Sequence, residues 1–74
     1  MDLRIGSVIQ RLRKLKGLTQ EQLADSIGVS KAAVSKWESG STYPDITLLS
    51  PIARLLGTTV DGLLEFEENL SKMK

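Results

Sequence analysis

Seventy-four residues without cysteine or histidine make one small domain, with no disulfide framework, no thiolate site, and neither the commonest metal ligand nor the commonest general base. A chain of this length buries about 60% of the surface its unfolded form exposes, and 41% apolar residues with a mean hydropathy of −0.08 suit a soluble globular protein. The net charge of +1 is unevenly spread, because residues 1–40 hold seven Lys/Arg against four acids and residues 41–74 hold three against five. A basic first half suits a polyanionic partner better than the small total suggests.

The first helix is expected from Leu3 to Lys16. Ile5, Ile9 and Leu12, with Val8 and Leu15, follow helical spacing. Gly17 ends it, and Arg13, Lys14 and Lys16 in the last turn suit the negative end of the helix dipole. No signal peptide is expected, because Arg4, Arg11 and Arg13 interrupt any apolar run. The longest uncharged apolar stretch, Ile46 to Ala53, is far too short to span a bilayer. The expected location is the cytoplasm.

The stretch Thr19 to Ser39 reads as two short helices joined by a tight turn. Thr19 can cap the first, and Gln22 three residues later completes a capping box. Leu23, Ala24 and Ile27 form its apolar stripe. Gly28 supplies a left-handed C-terminal cap, and Val29 is an apolar anchor in the turn. Ser30 caps the next helix, which turns Ala33 or Val34 and then Trp37 inward. Lys31, Ala32, Ser35, Lys36 and Ser39 lie outward. That outer face is small, polar and cationic, with no carboxylate until Glu38. Such a face can approach a surface closely and suits the major groove, where Lys, Ser and Ala all have base-edge partners.

The run Ser39 to Pro44 is a loop of Gly, Ser and Pro, in which Tyr43 either meets a partner or packs beside Pro44. Asp45 can cap a fourth helix over Ile46 to Leu56, with Ile46, Leu49, Ile52, Ala53 and Leu56 inward. Pro51 lacks an N–H and clashes inside a helix. Either the helix restarts with Ser50 as cap, or a loose first turn is kinked by Pro51, so a kink or break is expected between Leu49 and Ile52. Gly57 closes this helix. Thr59 caps a fifth, with Asp61 in its first turn, Val60, Leu63 and Leu64 inward, and Gly62 weakening it by about 1 kcal/mol. Leu63, Phe66, Leu70 and Met73 form a coiled-coil-like stripe that a five-helix core cannot cover to its end; either a second subunit or a further domain covers it, or the terminus frays.

No catalytic constellation emerges. The serines have no histidine to activate them, no glycine-rich phosphate loop follows a strand, and no metal-ligand spacing occurs. Neither an enzyme nor a cofactor is expected.

Thr19-Gln20, Leu23-Ala24, Gly28-Val29-Ser30, Val34-Ser35, Trp37-Glu38 and Gly40, with Pro44, Leu49, Ile52-Ala53, Leu56-Gly57 and Leu63-Leu64 downstream, carry a resemblance. Over residues 4–66 the chain resembles the phage-repressor-like (Cro/repressor, XRE-type) helix-turn-helix family of bacterial DNA-binding regulators. The resemblance implies an all-α, compact five-helix bundle. Residues 1–66 would form the DNA-binding domain, with its motif at 20–39, and residues 67–74 a helical tail for dimerisation or for a link onward. It implies base-edge contacts by Lys31, Ala32, Ser35 and Lys36. Phosphate contacts would fall on Gln20, Ser30, Ser41, Thr42 and Tyr43, the loop contributing hydroxyls and backbone N–H groups. Arg13 and Glu38 would form a structural ion pair. The implied function is sequence-specific binding of double-stranded DNA as a transcriptional regulator, a repressor, by a homodimer on a two-fold-symmetric operator. The alternative is an interaction module such as a toxin-neutralising antitoxin that also binds DNA. Ala32 departs from relatives with a longer polar side chain at that position, and Gly62 from those with an acidic or larger one.

Overall fold

The computed structural model describes residues 5–64. Its first helix, α1 (Ile5–Leu15), presents a stripe that the rest of the chain has to cover. Ile5, Val8 and Ile9 are buried along it, and Leu12 is half-buried beyond them. The cover comes from α2 (Gln20–Ile27), α3 (Lys31–Ser39), α4 (Leu49–Leu56) and α5 (Val60–Leu64). α3 packs on both α1 and α2, α4 reaches α1 and α2, and α5 closes against α1 and α4. Ile9, Leu23, Val34, Ile52 and Leu63, one from each helix, are fully buried and meet in a single core. Burying each such side chain contributes about 1.5–3 kcal/mol. Among the described residues all regular structure is helical, and no helix is long and apolar enough to cross a membrane. The architecture is the all-α five-helix bundle expected of the sequence.

Local chemistry explains where the helices stop. At the end of α1, Gly17 takes a φ of +73°. The Leu18 N–H bonds the Arg13 carbonyl and the Gly17 N–H bonds the Lys14 carbonyl, each at 3.0 Å, the paired bonds of a Schellman cap. That cap turns Leu18 back onto the core, where it is half-buried. Leu18 therefore covers the end of the stripe, and Leu15, expected there from spacing, is 77% exposed.

The fourth helix departs most from expectation. Its start, Ile46–Leu48, is a 3-10 turn, capped by the Asp45 side chain on the Thr47 N–H at 3.1 Å. A 3-10 turn holds three residues rather than 3.6, so Ile46 falls out of phase with the stripe of α4. It is 79% exposed instead of facing inward. The change of helix type comes between Leu48 and Leu49, just ahead of the expected window. Pro51 is then the third residue of α4, where its missing N–H coincides with donors that a helix start leaves unpaired anyway. Ser50 is not the cap. Leu48 occupies that position without a side-chain bond. At α5, Thr59 accepts the Gly62 N–H at 3.0 Å, as expected of a cap. Leu63, the first residue of the tail stripe, belongs to the core. Phe66, Leu70 and Met73 lie outside the described residues.

Burial separates two isoleucines that the sequence ranks alike. Ile52→Ala is expected to lower the unfolding free energy by about 2–5 kcal/mol, and Ile46→Ala to change it by less than about 0.5 kcal/mol. Urea titrations followed by circular dichroism measure both. Equal losses would contradict the exposure of Ile46.

Candidate nucleic-acid interface

The turn between α2 and α3 is built from short-range bonds. The Thr19 hydroxyl accepts the Gln22 N–H at 3.0 Å, and the Thr19 N–H donates to the Gln22 side-chain oxygen at 2.9 Å. α2 ends at Gly28, φ +80°, where the Gly28 and Val29 N–H groups both reach the Ala24 carbonyl. Val29 is half-buried against the core and pins the turn. Ser30 then caps α3 by accepting the Ala33 N–H at 3.1 Å. Val34 and Trp37 seat α3 on the core, and Ala33 is half-buried beside them.

This seating leaves Lys31, Ala32, Ser35, Lys36 and Ser39 exposed along one face of α3. Neither lysine has an ion-pair partner among the described residues. The acid of the same helix does not join that face. The Glu38 side chain is only 3% exposed, and Arg13 of α1 grips it with two bonds, Nε to Oε2 at 2.7 Å and Nη2 to Oε1 at 3.0 Å. Arg13 spends its remaining nitrogen on the Leu18 carbonyl, Nη1 to O at 2.7 Å. Gln20 of α2 also donates to Glu38, Nε2 to Oε1 at 3.0 Å. One buried carboxylate thus ties α1, α2 and α3 together and removes a negative charge from the edge of a cationic face.

Burial pushes the Glu38 carboxyl upward, but the bonds from Arg13 and Gln20 outweigh it, and the group sits below the usual glutamate value. The Arg13 guanidinium is raised, chiefly by its bond to Glu38 and against the cost of burial. Both shifts favour the ionised forms of the pair.

The remaining candidates divide by what their polar atoms already do. The Ser30 oxygen accepts from Ala33, and its own proton is left for an outside acceptor. Gln20 has given one amide hydrogen to Glu38, a role its position in the sequence does not reveal. The N–H groups of Gln20 and Glu21 are unpaired donors at a helix start, where partial positive charge collects. In the loop after α3, the Ser41 and Thr42 N–H groups return to the Lys36 carbonyl at 2.9 and 3.3 Å. The expected backbone donors of this loop are therefore occupied at both residues. Its hydroxyls are what it offers: Ser41, paired with the Ser39 hydroxyl at 3.0 Å, then Thr42, and Tyr43, which is 55% exposed. Pro44 is buried and Tyr43 is not. Lys16, expected to suit the negative end of α1, lies against Gly57, the C-terminal cap of α4, where a cation meets the negative helix end.

The helix-turn-helix family model matches residues 9–63. The HTH-type transcriptional activator BcrR of Enterococcus faecalis is 50% identical over 60 residues, which cover 81% of this chain and 29% of BcrR. The chain thus spans less than a third of that relative's length. Among solved structures, the P22 c2 repressor in complex with a synthetic operator superposes with a TM-score of 0.79 at 32% identity, covering 88% of this chain and 97% of that one. SinR in complex with DNA gives 0.75 at 34% identity, covering 81% and 97%.

Because the folded protein holds Glu38 below its ordinary value, the stabilisation is present above that value and lost as pH falls through the folded one. Unfolding free energies of the protein and of Glu38→Ala are expected to differ by about 3–5 kcal/mol at pH 7, since Arg13 is left buried and unpaired. The gap is expected to narrow as the pH is taken below about 4.5. A pH-independent gap would contradict an ionised Glu38.

Proposed function

The chain belongs to the helix-turn-helix family, and from that premise we propose that it is the sequence-specific DNA-binding domain of a transcriptional regulator. The observation that carries this reading is the outer face of α3, exposed, cationic and short-chained, with its one acid turned inward onto Arg13. A helix with that face fits the major groove closely. Lys31 and Lys36 donate to guanine O6 and N7, Ala32 meets a thymine methyl, and Ser35 serves several bases. Ala32 leaves room where a longer side chain would select a base by hydrogen bonding, so the preference there rests on the thymine methyl.

Phosphate contacts frame the helix. The start of α2 directs the Gln20 and Glu21 N–H groups and the second Gln20 amide hydrogen at one phosphate. The Ser30 hydroxyl donates to another. Ser41, Thr42 and Tyr43 bring hydroxyls rather than charge to the far side. The P22 c2 repressor and SinR, similar along most of this chain, have each been solved with DNA, which supports the same mode of use. One module of this size offers few base contacts, so a homodimer on a two-fold-symmetric operator, with half-sites about 34–36 Å apart, gives the needed discrimination. Binding of this kind represses by occlusion when the operator overlaps a promoter. In a bacterial host the work is cytoplasmic. The chemistry on the face is that of recognition, with no nucleophile paired to a base.

Lys31→Ala tests the reading on a duplex selected by the protein from a random pool. The variant is expected to lose about tenfold or more in affinity for that duplex and distinctly less for random DNA. Gel shifts at one salt concentration measure both. Equal losses on the two would reduce Lys31 to a phosphate contact.

A further inference from the structure

Gly6 is buried in the first turn of α1, at ordinary helical φ. It has no conformational need to be glycine. A Cβ at this position would overlap the Trp37 carbonyl oxygen and stand 3.0 Å from the Trp37 carbonyl carbon and 3.2 Å from Glu38 Cα. All three are backbone atoms of α3, so no change of rotamer relieves the overlap. α1 and α3 would have to separate or rotate. The contact falls where α3 is least free to move. The Trp37 carbonyl accepts the Gly40 N–H at 3.1 Å, part of the cap that leads into the Ser41–Tyr43 loop. The next residue, Glu38, is the anchor shared by Arg13 and Gln20. Gly6 and Arg13, spaced i and i+7, share one face of α1, and Glu38 is met at both ends of it. Its backbone lies against Gly6, and its carboxylate accepts two bonds from Arg13.

We propose that Gly6 is a positioning residue for the DNA-reading helix. The missing side chain lets α1 seat directly on the α3 backbone, and that seating sets Lys31–Lys36 at the right angle to the Ser41–Tyr43 loop. The inference rests on the DNA-binding reading above. A Cβ at position 6 alters none of the proposed contact side chains chemically but shifts the groove-reading ones relative to the phosphate-contacting loop, so the two sets no longer fit one duplex together. Alanine forms helix more readily than glycine, so fraying of α1 does not account for such a loss.

The test compares the protein with Gly6→Ala and with Gly62→Ala. Gly62 is also a helical glycine, and a Cβ there would overlap the Thr58 hydroxyl oxygen, but it lies in α5, outside the seam between α1 and α3. All three proteins are measured in the same stabilising osmolyte, with the folded fraction read by circular dichroism. Dissociation constants are taken on the duplex selected by the unaltered protein and on random DNA. Folded Gly6→Ala is expected to bind the selected duplex about tenfold or more weakly, the loss of about one base contact, with random DNA little changed. Gly62→Ala is expected to keep the unaltered ratio. A folded Gly6→Ala with unaltered affinity for the selected duplex overturns the proposal. So does a Gly6→Ala that stays unfolded in osmolyte, which makes Gly6 a residue of folding alone. An unaltered protein that binds no DNA overturns the functional reading itself, a different pattern from either.

Discussion

A carboxylate buried at the junction of three helices has to be paired, and that requirement organises this molecule. Taking Glu38 out of water without a partner would cost several kcal/mol. Arg13 and Gln20 meet the requirement from two different helices, and the geometry that satisfies the charge also fixes the helices to one another. The same bonds have an electrostatic consequence on the opposite side of α3. With its acid withdrawn, the exposed residues of the helix from Lys31 to Lys36 are two lysines, one serine and one alanine. The interaction that holds the fold therefore also shapes the surface proposed to meet nucleic acid.

Around that face, charge and hydrogen bonding are divided. The two lysines of α3 bring the positive charge. The start of α2 brings oriented N–H groups, and the loop after α3 brings hydroxyls, because its Ser41 and Thr42 N–H groups are already used to end the helix. A neutral loop adds directional contacts without adding to the counterion release that drives indiscriminate binding. On the proposed reading, recognition leans on shape and on the base edges, which agrees with the small side chains of α3.

What the sequence disclosed follows from the range of the interactions concerned. The capping box of Thr19 and Gln22, the Ser30 cap and the glycine at the turn involve residues within four positions of one another, and they are legible without any tertiary knowledge. The outward set on α3 was legible for the same reason, since one helical period decides it once Trp37 is inside. Ile46 and Leu15 were misjudged because periodicity assumes an α-helix that continues in phase. A 3-10 start displaced the first, and the Schellman cap gave the place of the second to Leu18. Gln20 and Gly6 act on residues 18 or more positions away. Nothing local marks Gln20 as a partner of Glu38. The only trace of the seam at Gly6 is a glycine where a helix would prefer almost anything else.

Inward pairing of Glu38 leaves α3 as the face proposed to meet DNA. The most direct test of that reading is an amide chemical-shift titration of the 15N-labelled protein with a duplex that it selects. The largest shifts are expected at Gln20 and Glu21, along Lys31–Lys36 and at Ser41–Tyr43, with α4 and α5 little changed. Shifts concentrated on α4 and α5, with Lys31 and Lys36 unmoved at saturation, would contradict it.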